Sequence, residues 1–255
     1  PRILGRDDAA GLLLLEDLGD GLIARLATDS GREQALYRQA ADALVVLHRH
    51  EAPPDLPVAT PARLAAMTDL AFTRYAARPD GAEPAAQAMR GVLEETAATA
   101  DVTILRDYHA ENILDLPDRT GPARAGLLDF QDAMRGHRAY DLVSLLRDAR
   151  RDLFPGTYEA VLAHYLDATG LPEAPFRAAM AALGVQRNLR ILGVFARLAA
   201  QRGKPGYLRL LPRVWAHVHA DLAHPALAPM RPHVAALPEP DSAHVAKLET
   251  ACPTP

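Results

Sequence analysis

Hydrophobic residues recur at helical intervals over most of this 255-residue chain. After Ser30-Gly31-Arg32-Glu33, which has the spacing of a capping box, apolar side chains recur every three or four positions and predict a helix over about 31–50. Thr60 followed by Pro61 predicts the start of a second helix. Further helical patterns cover about 83–99, 139–151, 156–168, 174–202 and 205–223, and Pro212 is expected to kink or divide the last of these.

The periodicity changes in the middle of the chain. Short β-branched and apolar runs at 102–105, 113–114 and 127–128, separated by polar loops, predict short strands. The run Leu12–Leu15, closed by Asp and Gly, predicts a buried strand that leads into a turn. The stretch 236–255 is rich in proline and poor in apolar residues, so we expect a loose tail. The predicted fold class is α+β, mainly helical with short strands.

Composition and charge exclude several classes of protein. The chain is 49% hydrophobic and 24% charged, which is ordinary for a globular protein. The net charge of −4, with Arg interleaved with Asp and Glu, argues against nucleic acid as a partner. No apolar run approaches the roughly 20 residues of a membrane span, and the single cysteine, Cys252, excludes an intrachain disulfide. We expect a cytoplasmic protein that binds neither nucleic acid nor a membrane.

Three polar side chains follow the predicted short strands and indicate phosphoryl transfer. Asp107 is followed by Asn112 five positions later, and Asp129 ends the next apolar run. Transfer of a phosphoryl group to a hydroxyl needs one carboxylate at the acceptor, and an amide and a second carboxylate on Mg²⁺. Each residue alone has a structural alternative, because Asp and Asn often cap turns and satisfy loop backbone. The joint pattern favours the catalytic interpretation.

The same motifs carry a resemblance to a known family. Arg106-Asp107-Tyr108-His109-Ala110-Glu111-Asn112, Leu127-Leu128-Asp129-Phe130-Gln131-Asp132 and Ala139-Tyr140-Asp141-Leu142 resemble the aminoglycoside phosphotransferase and choline kinase superfamily of small-molecule kinases. Within it, the chain is similar to the bacterial N-acetylmuramate/N-acetylglucosamine anomeric kinases of cell-wall recycling. The similarity extends over most of the chain, including 142–148 and 186–198.

The resemblance implies a fold, two cofactors and a set of roles. It implies a protein-kinase-like C-lobe that uses ATP and Mg²⁺ to phosphorylate a small-molecule sugar. Asp107 would be the catalytic base, Asn112 and Asp129 would bind Mg²⁺, His109 would support the loop, and Asp141 would brace it from the following helix. One departure is visible, because relatives commonly place His two residues before the catalytic Asp, where this chain has Leu105.

The N-terminal part of the chain departs further from the pattern of the family. Residues 1–20 resemble the last strand of the N-lobe and the hinge, where the backbone of Glu16, Asp17 and Leu18 would meet adenine, and 21–235 would form the helical C-lobe. The Gly-rich loop and strand lysine of the family are not found before Asp107, since the first lysine is Lys204. We therefore expect the sequence to start inside the kinase, with on the order of 80–100 residues of N-lobe lacking.

The acceptor site is less defined by the sequence. Arg135 and His137 follow the metal-binding strand, while Arg187 and Asn188, with Gln186 and Arg190, interrupt an otherwise apolar helix. Each set could contact a sugar, and surface charge or a solvated helix face is the alternative.

Two other functions stay open. An aminoglycoside or choline-type kinase would need an acidic pocket for its cationic substrate. A non-catalytic C-lobe fragment or pseudokinase would bind a ligand without transferring phosphate. The oligomeric state is open as well.

Overall fold

The structure is a computed structural model that describes residues 1–251. Within this range the helices are α1 (Ile23–Leu26), α2 (Ser30–Leu47), α3 (Pro61–Ala66), α4 (Ala82–Thr96), α5 (Ala139–Leu146), α6 (Thr157–Thr169), α7 (Glu173–Arg202), α8 (Leu211–Leu222), α9 (Arg231–Ala235) and α10 (Ser242–Thr250). The strands are β1 (Ile3–Asp7), β2 (Leu12–Leu15), β3 (Val102–Ile104), β4 (Ile113–Asp115), β5 (Ala125–Leu127) and β6 (Met134–Gly136). The predicted α+β class, mainly helical with short strands, is confirmed.

The strands form three separate antiparallel pairs. β1 pairs with β2, β3 pairs with β6, and β4 pairs with β5. In the last two pairs Ile104 lies opposite Met134 and Ile113 lies opposite Leu127. These pairs place the loop that follows β3 next to the loop that follows β5. Both acidic motifs therefore lie at strand ends, as predicted.

Helix α7, which is 30 residues long, forms the centre of the core. It packs against α4, α5 and α8, and against a wide π-helical turn at Ala71–Tyr75. Gly193 is the point of closest approach, because a methyl group there would overlap the carbonyl group and Cβ of Leu70. The absence of a side chain at Gly193 therefore sets how closely α7 packs against the segment before the wide turn.

The start of α2 differs from the predicted capping box. Asp29, not Ser30, is the N-cap, and its side chain accepts a hydrogen bond from Arg32 N at 2.9 Å. The carboxylate of Glu33 is fully buried and accepts hydrogen bonds from Arg151 and from the backbone N of Phe154 at 3.0 and 2.7 Å. Glu33 therefore ties α2 to the segment after α5 instead of capping its own helix.

Two other boundaries follow from proline chemistry. Thr60 accepts a hydrogen bond from Arg63 N and caps α3 directly before Pro61, as predicted. Pro212 lies in the first turn of α8, after a 3₁₀ segment at Pro205–Leu210. Pro212 therefore divides the predicted helix over 205–223 at a position where its missing N–H is not needed.

The prediction that Leu12–Leu15 is buried is wrong. β2 is a strand, but all four of its leucines are exposed, and so are Ile3 and Leu4 on β1. No other described element covers either face of this hairpin. An apolar run predicts a buried strand only where the fold supplies a partner surface.

The expected loose tail is also incorrect over the described residues. Asp241 caps α10 through a hydrogen bond from His244 N, and the His244 ring packs edge-on against Tyr75 at 4.7 Å between ring centroids. The Tyr75 hydroxyl donates to the carbonyl of Pro238 at 2.7 Å. These contacts fix a segment whose own apolar content is low. Residues 252–255, including Cys252, lie outside the described residues.

A matched pair of glycine substitutions tests the packing of α7. Gly193→Ala is expected to lower the free energy of unfolding by about 3 kcal/mol, the upper part of the range for overpacking, because the overlapping atoms belong to the backbone. Gly91→Ala on the exposed face of α4, where nothing lies within 4 Å of the added methyl, should raise it by about 0.5–1 kcal/mol. Urea denaturation followed by circular dichroism measures both. Equal effects of the two changes would contradict the packing argument.

Candidate active site

The loop between β3 and β4 is a series of tight turns that presents Asp107. Backbone hydrogen bonds join Asp107 N to Leu105 O at 2.9 Å, His109 N to Asp107 O at 3.1 Å, and Asn112 N to His109 O at 2.8 Å. Arg106 has a φ of +72°, in the left-handed region that is unfavourable for an arginine. The Asp107 side chain is partly exposed and accepts no hydrogen bond from any described residue, so its carboxylate is free to meet a ligand.

Asp141, on the first turn of α5, holds this loop in place. Its Oδ2 accepts a hydrogen bond from Leu105 N at 2.6 Å, and its Oδ1 accepts one from Arg106 N at 2.9 Å. Ser144, one turn further along, donates to the Arg106 carbonyl at 2.9 Å. Burial raises the pKa of Asp141 to about 6, while the two backbone donors oppose that shift. Both backbone polar groups of Arg106, its N–H and its carbonyl, are thus bound by side chains of α5.

We call the loop between β3 and β4, residues 105–112, the catalytic loop. Asn112 connects it to the loop after β5. Its Nδ2 lies 3.0 Å from Asp107 O and 3.2 Å from Asp129 Oδ2, and its backbone carbonyl accepts from Leu128 N at 3.0 Å. Its Oδ1 receives no hydrogen bond from a described residue. The amide therefore joins the two acidic loops while its oxygen stays available.

Asp129 is exposed and has a strained backbone. Its φ is +58°, and Gln131 Nε2 donates to its Oδ1 at 2.6 Å. Asp is one of the few non-glycine residues that adopt this conformation with some frequency. The left-handed φ turns the chain sharply after β5, at the position where the carboxylate meets Asn112.

His109 lies beneath Asn112 as a neutral side chain. Burial, with a further contribution from Arg150, lowers the pKa of His109 to about 4. The amide of Asn112 lies 3.4 Å from His109 Nε2. A neutral imidazole can accept this contact, which is consistent with the supporting role that the sequence predicts.

Arg187 and Asn188, adjacent on α7, have different surroundings. Arg187 is buried, with its guanidinium carbon 5.8 Å from the Tyr140 ring centroid, and its charge lowers the pKa of both His109 and Asp141. Arg187 therefore lies beside the catalytic loop. Asn188 is fully buried and donates to the carbonyl of Gly184 at 3.0 Å within its own helix. The structure does not bring Asn188 to the site.

Arg135 and His137 are also not brought to Asp107. Arg135 is on β6, where its backbone pairs with Pro57 and Ala59. His137 lines a separate cavity of about 380 Å³ with Asp101 and Phe176, which shares no lining residue with the catalytic loop. Burial lowers the pKa of His137 to about 4. Their position in the sequence after Asp129 did not predict these surroundings.

The predicted hinge follows β2. Glu16 accepts hydrogen bonds from Arg2 N at 3.0 Å and from Arg119 at 2.6 Å, and these bonds lower its pKa to about 2. Asp17 accepts a hydrogen bond from Gly19 N, and Leu18 packs against Gly126 of β5.

A mainly apolar cavity lies next to this segment. It has a volume of about 260 Å³ and is lined in part by Pro1, Gly126, Leu127 and Phe130. Phe130 directly follows Asp129 in the sequence, so one of the residues that line the cavity adjoins the candidate metal ligand. A flat aromatic base is the kind of ligand that such an apolar slot accommodates.

Sequence reasoning missed three features of this site: the left-handed backbone at Arg106 and Asp129, and the Ser144 contact. Nothing in a single sequence marks a non-glycine residue as left-handed. A signal for Ser144 did exist, because it lies three residues after Asp141 and therefore on the same face of a helix.

Comparisons with known proteins agree with this geometry. The model of the APH family, described as a phosphotransferase enzyme family, matches residues 1–183. An N-acetylmuramate/N-acetylglucosamine kinase of Caulobacter vibrioides is 40% identical, over 91% of this chain and 68% of its own length. A protein of the same name from Pseudomonas aeruginosa is 31% identical, over 94% of this chain and 73% of its own length.

A solved structure has the same fold. A choline/ethanolamine kinase family protein from Mesorhizobium loti superposes with a TM-score of 0.63 over 98% of this chain and 77% of its own, at 16% sequence identity. At that identity the likeness concerns the fold alone.

None of the helices in the described part of the chain combines the length and the hydrophobicity that a membrane span needs.

Substitution of Asp141 is expected to change how stability depends on pH. The folded-state pKa of about 6 is above the ordinary aspartate value of 3.8, so the folded chain binds more protons between these values. The carboxyl therefore contributes stability that is largest below pH 4 and is lost as the pH rises through 6. The unfolding free energy of the wild type minus that of Asp141→Asn should rise by about 2 kcal/mol from pH 7 to pH 4.

Urea titrations at several pH values measure this difference. Asp118→Asn, the same change at an exposed carboxyl after β4, is the matched control, and its curve should stay parallel to that of the wild type. A parallel curve for Asp141→Asn would contradict the account of Asp141 given above.

Proposed function

Since this chain belongs to the APH phosphotransferase enzyme family, we propose that it transfers the γ-phosphate of ATP to the anomeric hydroxyl of an amino sugar, N-acetylmuramate or N-acetylglucosamine. The observation that carries this proposal is the hydrogen-bonded set of Asp107, Asn112 and Asp129 at the ends of adjacent strands. The names of the relatives from Caulobacter vibrioides and Pseudomonas aeruginosa support the choice of acceptor. A cytoplasmic location, where ATP is available, belongs to the same proposal.

Asp107 is the base in this proposal. Its backbone is held by Asn112 Nδ2 and by the turns of the loop, while its carboxylate has no donor among the described residues. A carboxylate fixed in this way can orient the acceptor hydroxyl and accept its proton as the phosphoryl group arrives. The chain thereby positions the acceptor in line, which is the main contribution of a protein to this chemistry.

The polar groups beside Asp107 fit a magnesium ion. The Asp129 carboxylate is exposed, and Asn112 Oδ1 is without a donor from the described residues, so two oxygen ligands are available on adjoining loops. Mg²⁺ prefers oxygen ligands and usually keeps positions for phosphates and water. When bound there by Asn112 and Asp129, it would neutralise charge on the phosphates of ATP.

The nucleotide is placed by the segment after β2. The apolar cavity lined by Pro1 and β5 would take the adenine ring, which the backbone of Glu16, Asp17 and Leu18 would then meet. Arg119, another lining residue of the cavity, is paired with Glu16. Phe130, which lines this cavity, directly follows Asp129 in the sequence, so the chain connects the cavity to a proposed metal ligand. The Glu16–Arg119 ion pair, at 2.6 Å, fixes the segment against the turn after β4.

The alternative acceptors are less compatible with the charges at the site. An aminoglycoside or choline is a cation, and would be repelled by Arg106, Arg187 and Arg190, whose charges lie close to Asp107 and Asp141. A non-catalytic binding module is the remaining alternative. An assay of phosphate transfer with each sugar distinguishes a kinase from such a module.

Removal of the base tests the proposal directly. Asp107→Asn is expected to lower kcat for phosphorylation of N-acetylmuramate by about 100- to 10,000-fold, the contribution typical of a positioned general base. The sugar phosphate formed from labelled ATP measures the effect. Asp118→Asn, at an exposed turn, should leave the rate unchanged. Undiminished turnover by Asp107→Asn would refute the assignment.

Asp129→Asn should separate activity from stability. Asparagine adopts the left-handed conformation at least as readily as aspartate, so the unfolding free energy should stay within about 0.5 kcal/mol of the wild type. Loss of the carboxylate charge should lower kcat by about 100-fold or more, the effect of removing a preorganised group that stabilises charge.

The two measurements on Asp129→Asn are denaturation in urea and turnover as a function of Mg²⁺ concentration. A variant that keeps its activity, or that loses stability together with activity, would contradict the role of Asp129 as an exposed metal ligand.

A further inference from the structure

Two arginines of α7 lie beside the catalytic loop without a partner for their charge. Arg187 is only 6% exposed, its Nε is buried without a hydrogen bond, and its guanidinium forms no hydrogen bond or ion pair with a described residue. Arg190, three residues later and partly buried, also lacks both kinds of contact within the described residues. The spacing places the two side chains on one face of the helix.

Both charges lie close to groups of the catalytic loop or of the helix that holds it. The Arg187 guanidinium lies over the Tyr140 ring at 5.8 Å, next to Asp141, and its charge acts on His109. Burial lowers the pKa of the Arg190 guanidinium, while Tyr140 and Asp107 act in the opposite direction. Arg190 therefore lies near the carboxylate that would face the acceptor hydroxyl, and Arg187 lies near Asp141, which holds the same loop.

The neighbouring groups do not neutralise these arginines by direct contact. Asp141 uses both carboxylate oxygens on the backbone of Leu105 and Arg106. Arg106 differs from the pair on α7, because it bonds to the Asp132 carbonyl at 3.5 Å and lies 3.9 Å from the Asp132 carboxylate. A buried cation without a hydrogen-bonded partner is costly, and an anionic ligand would supply that partner.

We propose that Arg187 and Arg190 form a carboxylate-binding subsite for the acceptor sugar. This inference rests on the proposed function and narrows its substrate class. N-acetylmuramate carries a carboxylate on its lactyl ether, and N-acetylglucosamine does not. A guanidinium matches a carboxylate with two parallel hydrogen bonds, so the subsite would select the acidic sugar and fix its orientation relative to Asp107.

Binding of the acceptor in the absence of ATP tests the subsite. The probes are N-acetylmuramate and its neutral carboxamide, which differ in charge and little in shape. In the wild type the acid should bind more tightly than the amide. Arg190→Gln should weaken binding of the acid by about 10- to 100-fold, the effect of losing a hydrogen bond between charged groups, and change binding of the amide by less than about threefold.

Two further variants serve as controls for the assignment of the carboxylate-binding subsite. Arg202→Gln, at the exposed end of the same helix and about 18 Å along its axis from Arg190, should bind both probes like the wild type. Arg187→Lys keeps a positive charge at the buried position but removes the fork, so it should reduce the preference for the acid if the chain folds normally by circular dichroism.

Turnover of both sugars separates this inference from the proposed function. A selective loss of kcat/KM for N-acetylmuramate in Arg190→Gln supports the subsite. An equal loss for both sugars would overturn it, because the arginines would then act on the transferred phosphoryl group. Equal binding of acid and amide by the wild type would overturn it as well. If the wild type phosphorylates neither sugar, the proposed function fails, while the binding preference still tests the subsite alone.

Discussion

The two hydrogen bonds from the backbone of Leu105 and Arg106 to the carboxylate of Asp141 are the interaction on which the candidate site depends. They hold Arg106, directly before Asp107, in a left-handed backbone conformation. This conformation costs on the order of 1–3 kcal/mol and persists only where the surroundings impose it. Asp141 can impose it because α5 is itself fixed by its packing against α7. The geometry at Asp107 is therefore set from a helix that begins more than 30 residues later in the chain.

Asn112 extends this order to the second carboxylate. Its amide bonds to the backbone of Asp107 and to the side chain of Asp129, so it connects two loops that belong to different strand pairs. The strands involved are only three residues long and have few hydrogen bonds of their own. The relative position of the two acidic residues thus depends on one side chain and on the core beneath it, where neutral His109 lies.

Much of this arrangement could be predicted from the sequence, and the failures have physical causes. The helical intervals located the helices, and the motif located the strand ends, because both depend on local spacing. The exposure of Leu12–Leu15 and the docking of α10 depend on which surfaces the fold supplies, which no local pattern contains. Arg187 and Asn188 show the same limit, since adjacent positions on one helix point about 100° apart and only the packing decides which faces the site.

The charges of the site follow from these constraints. A kinase must keep acidic groups for the base and for the metal, and acidic groups that lie close together repel each other. Here Arg187 and Arg190 on α7 place positive charge beside the catalytic loop. The charge of Arg187 lowers the pKa of Asp141, whereas burial raises it. Arg187 and Arg190 therefore offset the repulsion between Asp141 and Asp107 without occupying either carboxylate. Because they do so without direct contacts, their hydrogen-bond donors stay free, and the arrangement that stabilises the acidic loop is the same one that can receive an acidic acceptor.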